Sequence, residues 1–228
     1  YLKEGIIQAS NLKALDMNIG CTKSSEHYCF EDFLTEFTKL TKLYLTIQDT
    51  GLGDIGLTHI VRSLKAFTKL EDLYLYLNKA GACTHLGYEQ LWLGIKDLVS
   101  LKQLKVLISE NEINDQAFFR FEECIENLSD LWNLTLIFYQ SKSITNEGVR
   151  RILSGAKKLQ NLEIMNLGFP TADSLTNSSV DMLRETIQAL PRLRNISTTF
   201  SMQSQIEWDY LRRLQSDVSR FVFMNIGK

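Results

Sequence analysis

LTKLYLTI, residues 40–47, decides the fold. Apolar residues stand at Leu40, Leu43, Leu45 and Ile47, with Tyr44 and Thr46 between the last three. From Leu43 onward the alternation has the period of a strand that turns one face inward. The spacing returns along the whole chain. It reads Leu12-Leu15-Met17-Ile19, Leu70-Leu73-Leu75-Leu77, Leu101-Leu104-Val106-Ile108 and Leu131-Leu134-Leu136-Phe138. Further copies read as Leu159-Leu162-Ile164, Leu193-Ile196-Thr198-Phe200 and Val218-Phe221-Phe223. First positions are then separated by 28, 30, 31, 30, 28, 34 and 25 residues.

Between the copies the period changes to that of a helix. Leu57, Ile60, Val61 and Leu64 make one apolar stripe at i, i+3, i+4, i+7. Val149, Ile152, Leu153 and Ala156 make another, as do Phe118, Phe121, Ile125 and Leu128, and Val180, Leu183, Ile187 and Leu190. Each unit is strand, turn, helix. One unit cannot bury its own apolar face, but stacked units can. A doubly wound sheet or a barrel would also alternate strand and helix. Strands covered on both faces read as nearly continuous apolar runs, however, and these are half-apolar with one spacing throughout.

The L-x-x-L-x-L segments and the turns GLGDIG, NEINDQA and SITNEG resemble the leucine-rich repeat family. The likeness is to its ribonuclease-inhibitor-like class, with Asn111-x-Ile113-x-Asp115 matching that class's turn. The extra L-x-L of the strand is similar to repeats of ciliate leucine-rich proteins. The resemblance covers residues 2–226 and implies one α/β solenoid domain over 1–228, a horseshoe of about seven repeats. The parallel sheet would line the concave face and the helices the convex one. The segments NKAGACTHLGYEQ and GFPTADSLTNSS depart from the pattern.

Gly51-Leu52-Gly53-Asp54-Ile55-Gly56 spells G-x-G-x-x-G between a strand and a helix, the setting of a dinucleotide site. Aligned turns give a different answer. Leu52-x-Asp54-x-Gly56 matches Ile113-x-Asp115-x-Ala117, Ile144-x-Asn146-x-Gly148 and Leu175-x-Asn177-x-Ser179. An apolar plug, an Asp or Asn suited to capping the helix and a small residue recur, whereas Gly51 and Gly53 do not. The next strand also ends in Asn78-Lys79, without the acid that would hold a ribose.

Other chemistry is sparse. Cys21, His27 and Cys29 share one segment but lack a fourth ligand for zinc. Cys124 reads as a small core residue. Nucleophile-elbow, P-loop and zincin motifs are absent, so neither catalysis nor a cofactor is expected. Net charge is −2 with no basic stripe, which argues against nucleic acid. No apolar run reaches the roughly 20 residues of a membrane span. Four cysteines in 228 residues fit a reducing, cytoplasmic compartment, and cytoskeletal or ciliary association is a further expectation.

The strand pattern points to a docking surface. Residues between the core leucines face the concave side. They read Asp16, Tyr44, Tyr74, Lys105, Thr135, Glu163, Ser197 in one row and Asn18, Thr46, Tyr76, Leu107, Ile137, Met165, Thr199 in the next. A third holds Tyr139 and Leu167. The expected protein-binding band is Tyr44, Tyr74, Tyr76, Leu107, Ile137, Tyr139 and Met165, with Leu167 beside it, since an exposed apolar patch of this size marks an interaction site. Trp92 and Trp132 lie beside their apolar stripes and are the candidates on the convex side. KEGIIQ reads as the tail of a helix and RFVFMNI as an uncapped sheet edge, so the chain reads as a piece of a larger polypeptide or assembly. The expected function is a non-enzymatic scaffold or complex subunit with a protein partner. The alternative is a regulatory or recruiting domain of a larger enzyme, such as a ubiquitin ligase adaptor or a GTPase activator.

Overall fold

The computed structural model describes residues 11–20, 34, 37–111, 113–217 and 223–227. Cys21, His27, Cys29 and KEGIIQ therefore lie outside the described residues. Eight strands form one parallel sheet whose spatial order is the chain order. They are β1 Ala14–Gly20, β2 Lys42–Gln48, β3 Asp72–Asn78, β4 Gln103–Ser109, β5 Asn133–Tyr139, β6 Ile164–Phe169, β7 Asn195–Phe200 and β8 Phe223–Gly227. The helices are α1 Gly53–Leu64, α2 His85–Ile95, α3 Phe121–Ile125, α4 Asn146–Ala156, α5 Asn177–Ala189 and α6 Trp208–Asp217, with a 3₁₀ turn at Asp115–Phe118. Each helix connects two adjacent parallel strands. The chain is a leucine-rich-repeat-like solenoid.

Register fixes the repeats. Leu15, Leu43, Leu73, Leu104, Leu134, Met165, Ile196 and Met224 are paired in one line across the sheet. This corrects the sixth and eighth copies. Leu162 is the counterpart of Leu131, and the strand it leads into is Met165, Leu167 and Phe169. Spacing along the paired line is 28, 30, 31, 30, 31, 31 and 28 residues. The misreading has a physical source. The second to seventh repeats enter their strands through a tight turn with an apolar residue three positions ahead of the leading leucine. Phe37, Phe67, Leu98, Leu128, Leu159 and Leu190 hold that place, each accepting from the amide three residues on. All six are buried.

The core runs the length of the sheet. Phe138, Phe169 and Phe200 stack beneath it with centroids 5.8 and 6.5 Å apart, and Phe118 meets Phe138 edge-on at 5.0 Å. The stripes of α1, α4 and α5 are buried as their periodicity predicts. The fourth repeat differs. Phe118, Phe121, Ile125 and Leu128 are buried, but on a 3₁₀ turn and a short helix rather than one helix. The indole of Trp92 donates to the Ala117 carbonyl at 2.7 Å. In a continuous helix that carbonyl would accept from Phe121, so the helix breaks there. Trp92 is fully buried, edge-on to Phe121 at 5.1 Å, which removes it from the convex surface.

The recurring Asp or Asn joins repeats. Asp54 Oδ1 accepts from the Thr84 amide at 2.7 Å and Oδ2 from the Thr84 hydroxyl at 2.7 Å. Asp115 accepts from the amides of Thr145 and Gly148 and from the Thr145 hydroxyl at 2.8, 3.0 and 2.7 Å. Asn146 accepts from the Thr176 amide and the Ser179 hydroxyl through Oδ1 and donates to the Thr176 hydroxyl through Nδ2, and Asn177 accepts from the Glu207 amide. These residues do not cap their own helices, as the sequence suggested. The caps of α2, α4 and α5 are Thr84, Thr145 and Thr176, each hydroxyl accepting from the amide two residues on. The small residue serves the clamp, because a Cβ at Gly87 or Gly148 would overlap the carboxylate of Asp54 or Asp115. Asn111 is a second bridge. Buried, it accepts from the Ala80 amide and donates to the carbonyls of Leu77 and Ser109.

Candidate functional site: the open face of the sheet

The face of the sheet turned away from the helices is the one expected to be concave. Strand pairing sets Asp16, Tyr44, Tyr74, Lys105, Thr135, Asn166 and Ser197 in one row across it. The next row is Asn18, Thr46, Tyr76, Leu107, Ile137, Gly168 and Thr199. The strands β2 to β5 thus bring Tyr44, Tyr74, Tyr76, Leu107, Ile137 and Tyr139 together. Tyr44 and Tyr139 are 38% and 40% exposed, and the other four are half-buried; Ile55, Leu86, Val99, Phe119 and Met202, off this face, are exposed singly. The rings of Tyr44 and Tyr74 lie 6.1 Å apart at 39°. Burial first, and then the neighbouring Tyr76 and Tyr139 phenols and the Asp16 carboxylate, raise the Tyr74 phenol above the ordinary range. Its hydroxyl is a proton-bearing donor at neutral pH.

Met165 does not belong to this band. It is fully buried, and Leu167 is buried too. The register of β6 turns them into the core and presents Ile164, Asn166 and Gly168 instead. A Cβ at Gly168 would come within 2.8 Å of Ile137, so the Ile137 side chain lies over that glycine. Glu163 likewise leaves the row, since it precedes the strand. The signal for this placement was the repeat spacing, since moving the sixth copy on by three residues turns intervals of 28 and 34 into two of 31.

A polar ladder flanks the band at the entry end of the strands. Lys42 pairs with Asp72 at 2.9 Å, and Gln103 donates to Asp72 at 3.0 Å. Asn133 donates to Gln103 at 3.2 Å, and Asn166 to the Thr135 hydroxyl at 3.0 Å. These groups satisfy one another. At the exit end Asp49, Lys79, Glu110 and Gln140 hold the same turn with φ of 50°, 46°, 53° and 56°. Lys79 meets Glu110 at 3.1 Å there. A cleft of about 590 Å³ lies between the turns after β4 and β5, lined by polar groups including Asn114 and Lys142. It sits off the aromatic band.

The glycine-rich turn is closed to a phosphate. Gly53 has a φ of +57°, which explains the glycine there, and its amide donates to the Ala80 carbonyl at 2.8 Å. Gly81 of the next repeat packs against the backbone of Gly51 and Leu52. A Cβ at Gly51 would point into open space. Cys83 and Cys124 are buried free thiols. Burial pushes Cys83 up to about 12 and Cys124 higher still, so neither is a thiolate nucleophile at neutral pH. Among the described residues no group of three or more His, Cys, Asp or Glu could hold a metal ion. No helix among them is long and apolar enough to cross a membrane.

No protein-family model matches the chain, and no curated protein matches it. Among solved structures, the crystal structure of the Rad7 and Elc1 complex in yeast holds a similar chain. The alignment covers 98% of this chain and 66% of that one, at 12% identity and a TM-score of 0.39. A likeness this distant adds no argument about partners, and the fold rests on the repeat geometry above.

Proposed function

We propose that this chain is a non-enzymatic protein-interaction module, a leucine-rich repeat solenoid of the ribonuclease-inhibitor-like class, that docks a protein partner on the open face of its sheet. One observation carries the reading. Tyr44, Tyr74, Tyr76, Leu107, Ile137 and Tyr139 form a continuous, partly exposed aromatic and apolar band on four neighbouring strands. A solvated sheet face would instead carry polar side chains. Tyrosine presents a large contact area at low conformational cost and is enriched among the residues that dominate interface energies. A scaffold subunit and a recruiting domain of a larger enzyme would use this face in the same way, and neither needs a cofactor.

The test is the triple variant Tyr74→Ala, Tyr76→Ala, Tyr139→Ala, compared with wild type in affinity purification of the native assembly. Proteins retained by wild type should be lost from the variant. Urea unfolding should show the variant folded, because all three rings stand on the surface side of the strands. Undiminished retention by the folded variant would refute the reading.

A further inference from the structure

The band is bracketed by two charges of opposite sign. Asp16, Tyr44, Tyr74 and Lys105 stand side by side in one row, on β1 to β4. Several charges at the rims are paired: Lys42 with Asp72, Lys102 with Glu71 at 3.0 Å, Lys79 with Glu110. The amides of Gln103, Asn133 and Asn166 are engaged within the ladder. Among the described residues, Asp16 and Lys105 have no ion-pair partner. Three strand spacings separate them, roughly 14 Å at about 4.8 Å each. The two tyrosine rings fill the interval.

We infer that the open face recognises a bipolar segment of a partner protein, with a carboxylate set against Lys105, a cation set against Asp16, and aromatic or aliphatic side chains between them on the tyrosines. The inference rests on the docking role proposed above and specifies its ligand. The required separation is about four residues of extended chain or about nine of helix. Half-buried Lys105, beside the aromatic rings, would be desolvated further by an apolar segment, and an unpaired charge there would weaken binding. Opposite charges at two fixed points also set the direction of the bound segment, which an apolar band alone cannot do.

The experiment is selection of random 16-residue peptides displayed on phage, using the full chain as bait. Wild type should enrich peptides that carry an acid and a base on either side of an apolar stretch. Those peptides, made synthetically, should bind Lys105→Glu on the order of tenfold more weakly. Fresh selection on Lys105→Glu should replace the acid by Lys or Arg, and selection on Asp16→Lys should replace the base by Asp or Glu. Lys105→Gln, which keeps the length of the side chain, should weaken binding by a smaller factor. No enrichment by wild type, or equal binding of the selected peptides to Lys105→Glu, would overturn the inference. So would retention of a labelled oligothymidylate that Lys105→Glu abolishes. The two proposals fail differently. If the triple tyrosine variant loses the peptides while the charge variants do not, docking on this face stands without the bipolar ligand. If the tyrosine variant keeps them, both fall.

Discussion

Replacing Asp115 by Ala should destabilise the solenoid by about 2–3 kcal/mol, through one joint rather than through the core. The carboxylate accepts three hydrogen bonds from the next repeat, at 2.8, 2.7 and 3.0 Å. Two of the donors are amides at the start of α4, so the group caps a helix that it does not belong to. Replacing a cap residue by Ala costs about 1 kcal/mol. A hydrogen bond to a charged acceptor contributes about 1.5–3 kcal/mol where burial is complete. This site is part-buried, so water recovers some of the loss, and the sum settles near the stated range. For a chain of this size the thermal midpoint should fall by roughly 4–12 °C. Since the lost energy couples neighbouring units, the urea transition should also broaden. Asp115→Asn provides the control, because the protein already holds the amide version. Asn146 accepts from the Thr176 amide through Oδ1 and donates to its hydroxyl through Nδ2. Asp115→Asn should therefore cost less than about 1 kcal/mol, within the range of a single net hydrogen bond. Equal losses for Ala and Asn, or a loss below about 1 kcal/mol for Ala, would refute the clamp reasoning.

Three further perturbations probe separate features. Asn111→Ala removes a buried bridge with three bonds, and should cost about 2–4 kcal/mol and speed hydrogen exchange at the Ala80 amide. Gln140→Gly relieves a left-handed φ of 56° on a residue without an ion pair, and should raise stability by about 0.5–1 kcal/mol in urea titration. Trp92→Phe releases the Ala117 carbonyl, so circular dichroism should show a small gain in helix across 115–125. Thermal unfolding should at the same time show a loss of about 2 kcal/mol from the lost indole.

Strand positions were legible in the sequence because each strand faces one layer of core, and alternation then reports which side is buried. That held for Leu43, Leu45 and Ile47 and for their counterparts through Phe138. It failed at β6 because Leu159-x-x-Leu162 imitates the start of a strand, while the true strand there substitutes Met165 for leucine. The inter-repeat clamps were not legible as such. A capping residue and its own helix lie within a few positions, whereas Asp54 and Thr84 are 30 residues apart, and only the stacking of repeats brings them together. The break in the helical segment of the fourth repeat was hidden for the same reason, since it depends on an indole from the preceding repeat. A φ of +57° accounts for glycine at Gly53, whereas a Cβ at Gly51 would meet nothing that requires glycine.

The register of β6 also sets the size of the candidate site. With Met165 and Leu167 in the core, the apolar band stops at β5, and the next strand offers Asn166 and Gly168. Four strands span roughly 19 Å across, and the four-residue reach from Tyr74 to Asn78 adds roughly 13 Å along the strands. That footprint is on the order of 250 Å² of sheet plane, against about 800 Å² buried per partner in a standard interface. The tyrosine band is therefore the centre of a docking site rather than the whole of it, with the polar ladder and the exit turns as its rim. Energies concentrate at such centres. The rim in this protein is occupied by groups that already satisfy one another. Substitutions at Asp72, Gln103 or Asn133 should consequently disturb folding more than binding, and those at Tyr74, Tyr76 and Tyr139 the reverse.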